Sequence, residues 1–178
     1  MKIGIDISQL AYPHVGVSNY LCSLIEELVT DTENEFILFF SARSKKIPER
    51  IRPLLSKKNV MLKRARFSPM VLDVLWNRLH RLKIEKFIGE VDFFISSDWT
   101  EPPVKSSKKA TILYDLVVLK HPDETDEQIV ATQKRKLKWV KKECDIIFCI
   151  SESTRNDAHE LLGIPNDKLH VIYPGMSI

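Results

Sequence analysis

Short apolar runs alternate along this chain with longer segments of helical periodicity, and this alternation constrains the fold more than any other feature of the sequence. The apolar runs, which are predicted to form strands, occupy residues 3–7, 35–40, 59–62, 91–95, 110–113, 145–150 and 169–172. The segments predicted to form helices occupy residues 17–29, 71–87, 124–142 and 153–162. Strands that alternate with helices build βαβ units, whose right-handed crossovers cover both faces of a mostly parallel sheet. The predicted fold is therefore α/β, with a Rossmann-like doubly wound sheet.

The length and composition suit one well-filled domain that spans residues 1–178. Hydrophobic residues make up 44% of the chain and charged residues 29%, which is typical of a globular protein and excludes a disordered or fibrous one. No apolar run approaches the roughly 18 residues that a membrane-spanning helix needs. The first residues alternate like a strand and do not resemble a signal peptide, so we expect a cytoplasmic protein.

Cysteine and histidine give no support for a disulfide framework or a metal site. Cys22, Cys144 and Cys149 form no CxxC pair and lie in apolar stretches, which predicts buried, reduced thiols. The five histidines are scattered and show neither HxxxH nor HExxH spacing. The sequence therefore predicts that no metal is bound.

The positive charge of the chain is concentrated in one stretch. The formal net charge is only +3, but residues 45–86 hold thirteen lysine or arginine residues and three acidic ones. Such a local excess can attract anionic lipid, phosphate or nucleic acid. The alternative is a solvated helix face next to a lysine-rich loop, and the composition does not decide between them.

In a parallel sheet, ligands gather at the loops that leave the carboxyl ends of the strands. The first such loop, residues 8–20, carries Gly16 just before a predicted helix. A missing side chain there lets backbone N–H groups approach an anionic ligand, although a lone glycine is also common in turns. Neither a GxGxxG fingerprint nor a P-loop occurs, which disfavours a dinucleotide-binding oxidoreductase.

Two further loops place aromatic and polar side chains at the same predicted edge. Trp99, next to Asp98, is typical of a sugar-binding wall, where an aromatic face packs on pyranose C–H groups; a buried tryptophan that anchors its loop fits equally well. Tyr114 and Asp115 directly follow the predicted strand at 110–113. Asp115 can act as a base or bind hydroxyls, or it can cap the segment that follows.

The fourth loop lies between the predicted strand at 145–150 and the helix that follows it. Ser151 and Thr154 supply hydroxyls at the start of that helix, and Arg155 comes next. A helix N-terminus with hydroxyls and a guanidinium is a ready anion-binding site, but the same residues also serve as ordinary helix caps.

Four stretches of the sequence, in order, resemble family 4 of the GT-B retaining glycosyltransferases. They read MKIGIDISQL with VGVSNYLCSLIEEL, LWNRLHRLKIEKFIGEVDFFISSDWTEPP, ATILYDLVVLKHPD, and CDIIFCISESTRNDAHELLGIPNDKLHVIYPGM. The branch they resemble in particular contains mannosyltransferases of O-antigen assembly (mannosyltransferase B-like). The resemblance implies transfer of a hexose from a nucleotide diphosphate sugar to a saccharide or lipid-linked acceptor, with retention and with no cofactor beyond that co-substrate.

The resemblance implies a phosphate side of the cleft. Gly16 matches the family's glycine loop, which faces the donor diphosphate. Ser151, Thr154 and Arg155 match the hydroxyls and the arginine of the family's strand–helix junction. Asn19 stands where the family often has an arginine, and the loss of that arginine weakens a phosphate contact.

The resemblance also implies a reacting centre and an acceptor side. Asp115 matches the aspartate of a His-Asp-Leu motif in the cleft, and Tyr114 stands in the position of the histidine. A phenol can form hydrogen bonds there but does not titrate near neutral pH. Trp99 and Asp98 fall in the acceptor loop.

The chain ends where the family crosses into a second domain, which grips the nucleotide. We therefore expect an N-terminal acceptor-side domain that needs a C-terminal donor-binding domain or a companion subunit, and that has little turnover alone. No nucleic-acid partner is expected. The alternative is a non-catalytic module that binds a saccharide, a partner or a membrane through residues 45–86, with Trp76 and Phe67 as aromatic contacts.

Overall fold

A computed structural model describes residues 1–12, 15–96 and 98–175 of the chain. Seven parallel strands form one sheet in the order β3-β2-β1-β4-β5-β6-β7. The strands are β1 Lys2–Asp6, β2 Glu35–Ser41, β3 Val60–Ala65, β4 Phe93–Ser96, β5 Lys108–Leu113, β6 Ile146–Cys149 and β7 Leu169–Val171. This is the strand order of a doubly wound sheet, so the predicted Rossmann-like α/β fold is confirmed.

Six α-helical segments connect the strands. They are α1 Val15–Leu28, α2 Pro69–Leu72, α3 Glu85–Ile88, α4 Val117–Lys120, α5 Glu127–Glu143 and α6 Glu152–Leu162. A π-helical segment, Asp73–Arg78, follows α2, and single 3-10 turns occupy Ser8–Ala11, Arg52–Ser56, Pro122–Glu124 and Asn166–Lys168. Asp126 caps the N-terminus of helix α5: its side chain accepts hydrogen bonds from the backbone N–H groups of Gln128 and Ile129. Helix α6 ends at Gly163, which adopts the left-handed conformation that favours glycine.

Strand β2 shows why the strands read as continuous apolar runs. Leu38 packs with the apolar side of α1 on one face of the sheet. Ile37 and Phe39 pack with Trp76 and Phe94 on the other face. Because both faces are buried, residues 36–40 of the strand are all apolar.

The predicted continuous helix over residues 71–87 is wrong. The helix widens into the π segment and then stops at a turn in which His80 and Leu82 adopt positive φ values of 49° and 61°. The physical reason is Trp76, which is fully buried and donates its indole N–H to the Leu82 carbonyl at 2.8 Å. Trp76 is therefore no surface contact, which corrects its expected role in a binding surface. Phe67 is half-buried and meets Phe87 edge-on.

The three cysteines are free and buried, as predicted. Among the described residues, no helix combines the length and apolar character needed to cross a membrane.

Candidate active site

The carboxyl ends of β1, β5 and β6 open onto a cleft of about 450 Å³. We call it the Gly16 cleft; it is lined by Gly16, Val17, Asn19, Tyr20, Ser23, Arg50, Tyr114, Asp115, Ile150, Pro174 and Gly175. A cleft at this edge follows from the topology, because the loops that leave parallel strands converge there. Residues 13 and 14 of the predicted glycine loop lie outside the described residues.

Gly16 lies exposed in the first turn of α1. Apart from its chain neighbours and its own helix, no described residue would place a heavy atom within 4 Å of a Cβ atom at this position. Packing therefore does not require glycine here, and the missing side chain instead leaves room inside the cleft. This differs from Gly4 in β1, where a Cβ would lie 2.7 Å from Ile88 Cδ1.

Arg50 is the one basic side chain among the described residues that line the Gly16 cleft. It reaches there from the segment after β2 and forms a two-pronged salt bridge with Glu26, at 2.6 and 2.5 Å, and a hydrogen bond to Ser23 Oγ at 3.0 Å. Its hydrogen bond to Glu26 raises the pKa of Arg50 further, so its charge is permanent. Sequence reasoning missed this residue, since nothing in the spacing relates Arg50 to Gly16.

Tyr114 is buried at the floor of the cleft. Its hydroxyl accepts a hydrogen bond from Gln9 Nε2 at 2.9 Å, and its ring meets Tyr20 edge-on at 5.7 Å. Burial raises the pKa of Tyr114 well above its ordinary value, so the phenol stays neutral. Gln9 also accepts the backbone N–H of Asp98 at 2.7 Å and thereby links Tyr114 to the Trp99 loop. Gln9 was not predicted as a site residue, although a polar residue two positions after the predicted strand at 3–7 was a usable signal.

Asp115 is exposed, and its Oδ1 accepts the backbone N–H of Val117 at 3.0 Å. This contact is the local capping role that was one of the alternatives expected for Asp115. Asp115 also lines a second cleft, of about 160 Å³, which shares Val17 and Tyr114 with the Gly16 cleft. We call it the Trp99 cleft, because Trp99, Asp98, Tyr114 and Asp115 all belong to its lining.

Amide side chains hold the backbone of the Trp99 loop on both sides. Gln133 Nε2 donates to the Asp98 carbonyl at 3.1 Å, and Asn77 Nδ2 donates to the Trp99 carbonyl at 3.0 Å. Asn77 Oδ1 also accepts the backbone N–H of Glu101 at 3.0 Å. Trp99 itself is half-buried, so it both packs into the protein and presents surface to the cleft.

The fourth predicted loop touches the floor of the cleft through its hydroxyls. Thr154 Oγ1 donates to the Tyr114 carbonyl at 3.1 Å, and its backbone N–H donates to Ser151 Oγ at 3.1 Å. Because Thr154 has one hydroxyl hydrogen, the 3.0 Å contact between the two hydroxyls is donated by Ser151. Arg155 instead bonds Glu152 and Asn166, and it is not among the residues that line the two clefts.

The profile of glycosyltransferase family 4 matches residues 15–178, which include all of these loops apart from the Gln9 turn. This chain belongs to glycosyltransferase family 4. Its fold is similar to that of HepE from Anabaena, solved in complex with UDP, with a TM-score of 0.50 at 12% identity. The match covers 98% of this chain and 44% of HepE, so the chain spans less than half the length of that protein. No curated protein sequence matches it.

In this family 4 chain, a buried ion network lies beneath the Trp99 loop; it consists of Glu101, Lys109, Glu143 and His80. Lys109 Nζ lies 3.2 Å from Glu101 and 3.0 Å from Glu143, and Glu143 also contacts His80 Nε2 at 2.8 Å. Burial lowers the pKa of Lys109, but the carboxylates of Glu101 and Glu143 outweigh it and hold the pKa above its ordinary value. Sequence reasoning missed this network, because the strand was predicted at 110–113 and Lys109 was left just outside it, whereas β5 begins at Lys108.

Proposed function

We propose that this chain is the acceptor-side half of a nucleotide-sugar-dependent glycosyltransferase that transfers a hexose to a saccharide or lipid-linked acceptor in polysaccharide or glycoconjugate synthesis. Membership of family 4 supports sugar transfer, and the complex of HepE with UDP supports a nucleotide sugar as donor. The observation that carries the proposal is the meeting of the Gly16 cleft and the Trp99 cleft at Tyr114 and Asp115. A transfer reaction needs such a meeting point, because donor and acceptor must be held together.

We place the donor diphosphate in the Gly16 cleft. The open space beside Gly16 admits a phosphate close to the first turn of α1, where the dipole of the helix favours negative charge. Arg50 supplies a cation from a different part of the chain, which offsets the absence of an arginine at Asn19. Arg155 lines neither cleft, so only its match to the family motif supports a place for it on the phosphate side.

We place the acceptor in the Trp99 cleft, with Trp99 as the aromatic wall and Asp98 beside it. Asp115 lies between donor and acceptor, and its exposed carboxylate can bind a sugar hydroxyl or accept its proton. The neutral Tyr114 phenol can donate a hydrogen bond but cannot act as a base near neutral pH. The resemblance to the mannosyltransferase branch favours mannose as the hexose, and a cytoplasmic location suits the supply of nucleotide sugars.

We test the proposal by isothermal titration of the chain with UDP- and GDP-hexoses. Half of the nucleotide contacts are expected on a second domain or companion subunit, so binding should be millimolar or absent and turnover negligible. Low-micromolar affinity would contradict the proposal that this chain holds only half of the nucleotide contacts. Addition of a family 4 donor-binding domain should then restore hexose transfer, and Asp115→Asn should abolish that restored activity.

A non-catalytic module is the second candidate, and one observation favours it: apolar and basic side chains are exposed together at residues 70–82. A chain that binds vesicles but stays inactive when supplied with a donor-binding domain would select this alternative.

A further inference from the structure

Exposed apolar surface is concentrated on one segment, residues 70–82, which we call the 70–82 strip. Met70 is 78% exposed and Leu79 is 56% exposed, values that are unusual for large apolar side chains. Five of the eleven exposed large hydrophobic residues of the described chain lie in this strip: Met70, Val71, Val74, Leu79 and Leu82. Single exposed apolar residues need no explanation, but a cluster of this kind marks an interaction surface.

The backbone fixes the strip in this exposed arrangement. The π segment joins Leu79 to Val74 by a hydrogen bond of 2.9 Å between their backbones, and Trp76 holds the Leu82 carbonyl from below. Leu82 adopts a φ of 61°, a strained conformation for a bulky residue. The turn allows Trp76 to be buried, but the Leu82 side chain itself stays exposed. The fold therefore holds Leu79 and Leu82 outside the core.

Basic side chains surround the strip. Those exposed on it and next to it are Arg66, Arg78, Arg81, Lys83 and Lys86. The two acidic residues between positions 61 and 88 are both engaged: Asp73 is buried with Arg78 and Arg135, and Glu85 accepts the backbone N–H of Lys105. An apolar centre with a positive rim complements an anionic phospholipid surface, where the apolar side chains enter the headgroup boundary.

We propose that the 70–82 strip docks on an anionic phospholipid bilayer. This deepens the proposed function and rests on it in one respect: it selects the lipid-linked saccharide as acceptor. A groove of about 740 Å³ runs beside the strip, and its lining includes Met70, Arg78, Ile129 and Trp99 together with the acidic residues Asp126 and Glu127 at the N-cap and in the first turn of helix α5. Trp99 is thus shared by this groove and the Trp99 cleft, so an acceptor anchored in the bilayer reaches Asp115 along the protein surface.

The end of the strip that carries Leu79 and Leu82 lies away from the surface that a donor-binding domain would cover. Ile84, just after the turn, donates its backbone N–H to the Pro103 carbonyl at 3.0 Å. Pro103 belongs to the segment that carries the chain back from the end of β4 to the start of β5. Leu79 and Leu82 therefore stay accessible when a second domain faces the carboxyl edge of the sheet.

Flotation with phosphatidylcholine vesicles, with and without phosphatidylglycerol, tests the proposal on the full chain. The chain should float with the anionic vesicles. Leu79→Ser with Leu82→Asn should lower the partition coefficient at least ~10-fold, because the inserted apolar area is lost. Asparagine tolerates the left-handed conformation, so this variant should fold. Arg81→Gln with Lys83→Gln should lower binding to anionic vesicles about 5-fold per residue.

The matched control removes the same charge elsewhere in the basic stretch, by Lys46→Gln with Lys58→Gln, two exposed lysines outside the strip. This control should retain binding within about twofold, and circular dichroism should show the native fold for all variants. Equal losses in both charge variants, or no vesicle binding by the wild-type chain, would overturn the proposal. So would a dimer, seen by light scattering, that the leucine variant abolishes. Vesicle binding needs no nucleotide sugar, so this outcome is independent of transferase activity.

Discussion

The buried ion network and the two clefts at the carboxyl edge, the Gly16 cleft and the Trp99 cleft, differ in whether the protein itself supplies partners for their polar groups. Lys109 and Glu101 are fully buried, and the protein itself supplies their partners. Asp115 is exposed and uses one oxygen to accept the Val117 N–H, and no described residue outside the helix places a heavy atom within 4 Å of the Cβ position of Gly16. This difference separates structural polar residues from open ones: the ion network supplies its own partners and supports the Trp99 loop, whereas we propose that the groups open to the clefts contact substrates.

The largest expected effect is on Lys109. Lys109→Met should lower the free energy of unfolding by about 3–5 kcal/mol, because it leaves Glu101 charged and buried without its cation. Lys108→Met, at the exposed neighbouring position, is the matched control and should change stability by about 0.5 kcal/mol or less. Urea unfolding measures both. Similar values for the two variants would show that the network is not a structural element.

The next largest effect on stability is expected to distinguish Gly4 from Gly16. Gly4→Ala should destabilise the protein by about 1–3 kcal/mol, because its Cβ would lie 2.7 Å from Ile88. Gly16→Ala should be neutral or stabilising by up to about 1 kcal/mol, because alanine suits a helix and meets open space. Thermal melts distinguish the two. Destabilisation by Gly16→Ala would mean that Gly16 is a packing residue.

A pH dependence follows from Glu143. Burial raises the pKa of Glu143, but Lys109 and His80 together lower it by more than burial raises it. The pKa of Glu143 in the folded protein therefore lies below the ordinary value. Its contribution to stability is therefore present above about pH 4.3 and is lost as the pH falls through the folded pKa. The free energy of unfolding should fall more steeply with acidification in the wild type than in Glu143→Gln. Parallel curves from urea titrations would contradict the pairing.

The smallest effect on stability is expected at Asp115. Asp115→Asn keeps an oxygen for the Val117 N–H, so the free energy of unfolding should change by about 0.5 kcal/mol or less. In a complete transferase the same change should lower the rate of hexose transfer by about 10²-fold or more. Asp123→Asn, an exposed aspartate outside both clefts, should leave stability and transfer unchanged. Equal activity of the two variants would remove Asp115 from the reacting centre.

The sequence predicted the fold well where one interaction dominates. Strand β2 was predicted from its apolar run, because both of its faces are buried, and α6 was predicted from Ser151 and Gly163, because caps are local. The break at Leu82 was not predicted, since it depends on the tertiary burial of Trp76.

For the site, too, the sequence predicted local features but not tertiary contacts. Motif order brought Gly16, Trp99 and Asp115 to one edge of the sheet, because parallel strands all end there. Arg50 and Gln9 were missed: Arg50 reaches the Gly16 cleft from the segment after β2, and Gln9 bonds Tyr114, which lies 105 positions later in the chain, so only the fold relates either residue to the site.

The most direct test of the account is a titration of the ¹⁵N-labelled chain with UDP, followed by NMR at millimolar nucleotide, where weak binding is visible. The account predicts shift changes confined to the Gly16 cleft, around Gly16, Asn19, Tyr114 and Asp115, which Gly16→Ala diminishes. Shift changes centred on the amino edge of the sheet, or on the ion network alone, would contradict the claim that the two clefts form half of a transferase site.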